Sequence, residues 1–139
     1  MKSILSKNIH FSCGHRISNP DWDVEKNKEV YGKDYSEEGF GHNFTFEVFV
    51  SSPVNSNTDQ AININEVSTV LEKVSKLLDH KFLNEDVDYF KKNVPTTENI
   101  AHFCYHEYKK LLQPSELMLE KIRLHEGDNL FIDVFEESS

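Results

Sequence analysis

Cysteine is scarce in this chain. Cys13 and Cys104 are the only two, too few for a disulfide framework. One falls in a strand pattern and the other on a helix face, so both read as small, reduced core residues. Long apolar runs are missing too. No stretch approaches the ~20 residues of a membrane-spanning helix. The opening Met1-Lys2-Ser3-Ile4-Leu5-Ser6-Lys7 lacks the apolar run of a secretion signal, and the expectation is a cytoplasmic protein. Positive charge is in deficit, with 15 basic against 24 acidic residues and a net charge of −9. That balance argues against nucleic acid or an anionic membrane as partner. It leaves room for an anionic small molecule held by a few local Lys or Arg. No internal repeat or low-complexity segment is present.

What the chain does have is phenylalanine, ten of them, and 37 % hydrophobic residues over 139 positions. That suits one folded domain, 1–139, large enough to bury a core without staples. Residues 3–13 read as a first strand, with Leu5, Ile9, Phe11 and Cys13 on one face. A long connection follows over 16–41, of the size that often serves as a lid or binding loop; its middle, Val24 to Tyr31, suits a short helical turn. Phe44, Phe46, Val48 and Val50 alternate in a second strand over 43–51. A polar loop with Pro53, Asn55, Asn57 and Asp59 comes next. Val67, Val70, Leu71, Val74, Leu77 and Leu78 recur at helical spacing, with Asn63 or Asn65 placed to cap. After a connector over 79–95, Thr96 or Thr97 caps a second helix whose stripe is Ile100, Phe103, Cys104, Leu111 and Leu112, and Pro114 stops it. Met118, Ile122 and Leu124 mark a third strand. The turn Gly127-Asp128-Asn129 leads into a fourth over Leu130 to Phe135. The order ββααββ predicts an α+β layer, two helices on one face of a four-stranded antiparallel sheet. Its open edges invite pairing between subunits.

Seven histidines raise the question of a site. His102 and His106 are four apart on the second helix but lie off its apolar stripe, and read as solvent-facing. His10 reads as a surface or interface residue. His15 and His42 differ, since each stands at a strand end beside glycine and next to the long loop. If the strands pair antiparallel, the two rings converge, which suits a metal site or an acid/base group. Asp79-His80 follows the first helix directly, either as a proton relay or as a cation at the helix's negative end. Glu126 continues the apolar face of the third strand. It is either an exposed hairpin residue or, if buried, an acid that needs a partner, which a heterocycle with two N–H donors would supply.

Five ordered motifs tie these pieces together: Phe11-Ser12-Cys13-Gly14-His15-Arg16, Gly41-His42-Asn43-Phe44, Leu78-Asp79-His80-Lys81, Pro95-Thr96-Thr97-Glu98-Asn99 and His125-Glu126. Over nearly the whole chain they resemble the 6-pyruvoyl-tetrahydropterin synthase and 6-carboxy-tetrahydropterin synthase family. The resemblance implies the tunnelling fold, a homo-oligomer (commonly a hexamer of two trimers) and sites between subunits. It implies a lyase acting on a pterin, 7,8-dihydroneopterin triphosphate. It also implies zinc held by His15 and His42, a relay of Asp79 and His80, a pterin anchor at Glu126, and support from Thr97 and Glu98.

Two positions depart from the family pattern. Phe40 stands where the middle zinc histidine belongs, and Asp34, after Gly32-Lys33, stands where the catalytic cysteine belongs. The expectation is a two-histidine, one-carboxylate set, with Glu38 or Asp34 as third ligand, weaker and less selective for zinc than three imidazoles. Asp34 is also the candidate base, since family variants with Glu replacing that Cys cleave the side chain to a 6-hydroxymethyl-pterin. Lys33, Lys81 and Arg16 are candidate phosphate contacts. The alternative is a degenerate homologue that binds a pterin and does no chemistry.

Overall fold

A computed structural model describes residues 2–52 and 62–137, so the polar loop with Pro53 to Asp59 lies outside the described residues. In chain order the elements are β1 (Leu5–His15), α1 (Val24–Tyr31), a 3-10 turn (Gly32–Asp34), β2 (Phe40–Ser51), α2 (Ile64–Leu78), α3 (Leu83–Asp86), α4 (Tyr89–Lys92), α5 (Thr97–Leu112), β3 (Met118–Glu126) and β4 (Leu130–Val134). The strands form one antiparallel sheet in the order β1-β2-β3-β4. The expected α+β layer is present, with α2 packed over β1 and β2 and α5 over β3 and β4. Among the described residues, no helix is long and apolar enough to cross a membrane.

The core follows from two periodicities meeting. Phe44, Phe46, Val48 and Val50 of β2 are fully buried, as are Ile122 and Leu124 of β3. Val67, Val70, Leu71, Val74 and Leu78 of α2 and Ile100, Cys104 and Leu112 of α5 close over them. Leu77, counted in the α2 stripe, is instead 41 % exposed, because it sits at the flank of an arc that Val74 and Leu78 already fill. Buried Tyr108 on α5 donates its hydroxyl to the Val67 carbonyl at 3.2 Å, tying the two helices together. Both helices start on the expected caps. The Asn63 side chain accepts from the amides of Asn65 and Glu66, and the Thr96 side chain from that of Asn99; each satisfies donors that the helix leaves unpaired.

The first strand runs to His15 and the second begins at Phe40, both reaching further than the sequence pattern. Gly14 pairs with Gly41 and His15 with Phe40. The glycines read as punctuation in sequence, but pairing partners carried the ladder through them. The connector after α2 is also more ordered than a loop. Residues 79–82 lie along the outer edge of β1: the His80 amide donates to the Ser12 carbonyl at 2.7 Å and the Gly14 amide to the Lys81 carbonyl at 2.8 Å. To do so His80 adopts φ 60°, the only positive φ of a non-glycine among the described residues. The long loop is pinned by buried Asn27 of α1, whose amide accepts from the Asn19 amide at 2.7 Å and donates to the Asn19 carbonyl at 3.1 Å. This holds α1 and the 3-10 turn beside the His15 end of the sheet.

Candidate metal and ligand site

The β1–β2 register sets Cys13 opposite His42 and His15 opposite Phe40, so the two imidazoles stand diagonally on the helix-side face. His15 is 2 % exposed. Its Nδ1 lies 2.7 Å from the Pro95 carbonyl, just before α5. A carbonyl only accepts, so Nδ1 carries the proton and Nε2 presents a lone pair. Nε2 faces His42 Nδ1 at 2.6 Å, which must therefore be the donor in that contact. On its other side, His42 Nε2 lies 3.1 Å from Glu126 Oε1, and the second oxygen of Glu126 accepts the Thr97 hydroxyl. Four segments distant in sequence thus meet in one chain of polar contacts. Burial pushes His15 below its ordinary pKa, with the neighbouring His42 adding to the effect against the opposing pull of Pro95 and Glu126. A neutral imidazole with one tautomer fixed by a backbone carbonyl is the form that ligates metals.

Among the described residues, His15, His42 and Glu126 are the one group of three His, Cys, Asp or Glu whose donor atoms lie within 4.8 Å of one another. Phe40 packs its ring against both imidazoles, 4.9 Å from His15 and 4.8 Å from His42 between centroids. The cluster opens into a cavity of about 550 Å³ whose walls include Tyr31, Lys33, Asp34, Thr97 and Glu126, a volume suited to a small heterocycle.

A family model described as 6-pyruvoyl tetrahydropterin synthase matches residues 4–137. The chain belongs to this family. It is 37 % identical over 125 residues to 6-pyruvoyl tetrahydrobiopterin synthase of Drosophila melanogaster, spanning 89 % of this chain and 74 % of that one. It is 27 % identical over 134 residues to dihydroneopterin monophosphate aldolase of Pyrococcus furiosus, spanning 96 % and 98 %. The solved structure of Caenorhabditis elegans 6-pyruvoyl tetrahydropterin synthase superposes with a TM-score of 0.89 at 25 % identity, covering 99 % of this chain and 97 % of that one. The fold is the tunnelling fold of that family.

Set within the family, the other residues singled out from sequence fall into separate places. Asp34 is exposed but lines the main cavity beside Lys33. Glu38 is exposed on the loop and stands outside the three-residue donor cluster. Thr97 faces the cavity, whereas the Glu98 side chain is 71 % exposed and lies 3.9 Å from His102 on its own helix. Asp79 and His80 line neither wall of the main cavity. Asp79 accepts from the Ser12 amide at 3.0 Å, and its other oxygen is 3.5 Å from Nε2 of His80, whose side chain is 84 % exposed. His80 and Lys81 line an adjoining hollow of about 470 Å³, and His42 lines both spaces. Arg16 points elsewhere, its guanidinium over the Phe82 ring at 5.3 Å.

Cys13, the thiol nearest the cluster, offers no base, since burial, with Asp79 and Glu126 adding to it, pushes it up to about 12. Two contributors escaped sequence reasoning. The Pro95 carbonyl is backbone and carries no side-chain signal. Tyr31 had a signal, its place one residue before the Gly32-Lys33-Asp34 turn that also reaches the cavity.

Proposed function

We propose that this chain is a lyase-type synthase of pterin metabolism, acting on 7,8-dihydroneopterin triphosphate. The observation that carries this reading is the meeting of His15, His42, Glu126 and Thr97 at one cavity in a chain of the 6-pyruvoyl tetrahydropterin synthase family. Glu126 faces the cavity as the acid that meets the bound substrate, and the Thr97 hydroxyl fixes its rotation. His15 and His42 would hold a divalent metal, zinc in the family. Bound there, the metal would polarise the side-chain oxygens of the substrate and make the adjoining C–H more acidic.

The chain's own groups do the rest. Asp34 at the cavity wall, or His80 with Asp79 across His42, takes the side-chain proton. The C–H electron pair becomes the new double bond as the C–O bond to triphosphate breaks, and the triphosphate leaves with the pair of that C–O bond. Lys33 stands in the cavity wall to meet the phosphates. The edge of β4 and the part of β1 before Ser12, left clear by residues 79–82, suit a homo-oligomer, a hexamer of two trimers.

Incubation with dihydroneopterin triphosphate, followed by chromatography of pterins and assay of released triphosphate, tests this. Turnover lost in Glu126→Gln and lowered at least tenfold in Asp34→Asn or His80→Asn supports it. A second reading has its own observation: Phe40, packed on both imidazoles, stands in place of a ligand. In that reading the chain binds a pterin without turning it over. Ligand binding by wild type with no triphosphate release at any metal concentration would select it.

A further inference from the structure

Phe40 leaves the metal set one donor short, and the sequence points to the loop acids to make it up. We propose that Glu126 supplies the third donor through Oε1, and that Glu38 does not. The inference deepens the functional reading above and rests on it for the presence of a metal.

The geometry carries it in three steps. The Phe40 ring lies against His15 and His42, so the third donor must approach from another element. Glu126 arrives from β3 through its pairing with Phe44, next to His42 on the same face of the sheet. Its two oxygens are already divided: one takes the Thr97 hydroxyl, while Oε1 is directed at His42 Nε2, 3.1 Å away. The three donors span at most 4.8 Å. Metal bonds of ~2.0–2.2 Å set donors ~3–4 Å apart, so gathering them takes about an ångström of side-chain closure. Glu38 is exposed and outside the cluster.

Chemistry gives the set a character of its own. Two imidazoles and one carboxylate are harder than three imidazoles, so discrimination between zinc and other first-row divalent ions is weaker. Thr97, acting through Glu126, is a positioning residue of the kind whose loss weakens metal binding ~10-fold or more.

The test is metal affinity of the full-length protein, with no substrate present. Zn2+ is measured by competition with a chromophoric chelator, and Co2+ by its visible absorption bands, which report ligand type. Expected are one ion per chain in wild type, at least tenfold weaker binding in Glu126→Gln with altered cobalt bands, and ~10-fold weaker binding in Thr97→Val with rescue by Thr97→Ser. Glu38→Gln should match wild type. Phe40→His should bind tighter and make Glu126→Gln nearly silent, because the imidazole then fills the position. Thermal melts identify any variant that fails to fold, and Glu126→Asp is the second probe at that position. Wild-type affinity in Glu126→Gln, affinity lost in Glu38→Gln, or no ion bound by wild type would each overturn the proposal. Pterin binding, followed separately by ligand fluorescence without added metal, reports on the functional reading. Its failure beside the expected metal results would sink that reading and leave the ligand assignment standing.

Discussion

His15 and His80 each line a cavity with His42, and their surroundings could hardly differ more. His15 is buried at the end of a strand, with one nitrogen on a carbonyl and the other on a second imidazole. His80 is mostly exposed, sits in a connector, and lies 3.5 Å from the carboxylate beside it. The first arrangement fixes a tautomer and an orientation, which suits a group that must hold something still. The second leaves the ring open to solvent and lightly held, which suits a group that must move. One sheet end thus offers a rigid half and a labile half, joined by a residue that borders both cavities.

That contrast can be broken most sharply at His15. Its replacement by alanine strands the Pro95 carbonyl and opens a hole in the packed end of the sheet. We expect a loss of ~2–4 kcal/mol, read as a lower urea midpoint at unchanged slope.

Next comes pH. His15 is held below its ordinary value of 6.5, chiefly by burial. Between the folded and unfolded values the unfolded chain carries the extra proton, so stability rises with pH there. The contribution is present above 6.5 and is lost as pH falls below it toward the folded value. Urea midpoints measured from pH 8 to pH 5 should decline, and the decline should shrink in His15→Gln. An unchanged slope in that variant would remove His15 as its source.

Smaller still is the effect of Thr97→Val. It takes a hydroxyl from a half-buried carboxylate and should cost ~1–2 kcal/mol of stability, whereas Glu98→Ala next door, exposed and outside the cavity, should stay within ~0.5 kcal/mol. The smallest change is expected for His80→Asn, whose melting temperature should match wild type within about a degree or two. A large destabilisation there would mean that His80 is structural, and the division into rigid and labile halves would fail.

Much of this was readable beforehand because it rests on local rules. The α2 stripe, the Asn63 and Thr96 caps and the alternation of β2 are written in residues a few positions apart, and the structure shows them as read. The convergence of His15 and His42 was legible for the same reason: antiparallel pairing of two recognisable strands leaves little choice. What escaped depends on surroundings that the sequence does not carry. Gly14 and Gly41 looked like breaks and became a paired rung. Leu77 looked like core and lost its place to neighbours on the same helix. Glu38 looked close to the histidines along the chain, yet Glu126, much further along it, is the acid that sits beside them. Neighbourhood on a sheet is decided by register across strands, and one residue of register changes the face.

The backbone twist at position 80 has a practical consequence. With φ at 60°, the site tolerates glycine, asparagine, aspartate or histidine far better than any β-branched side chain. A randomised library at this codon should therefore be enriched in those four among well-folded clones and depleted of valine and isoleucine, whatever the selection for chemistry demands.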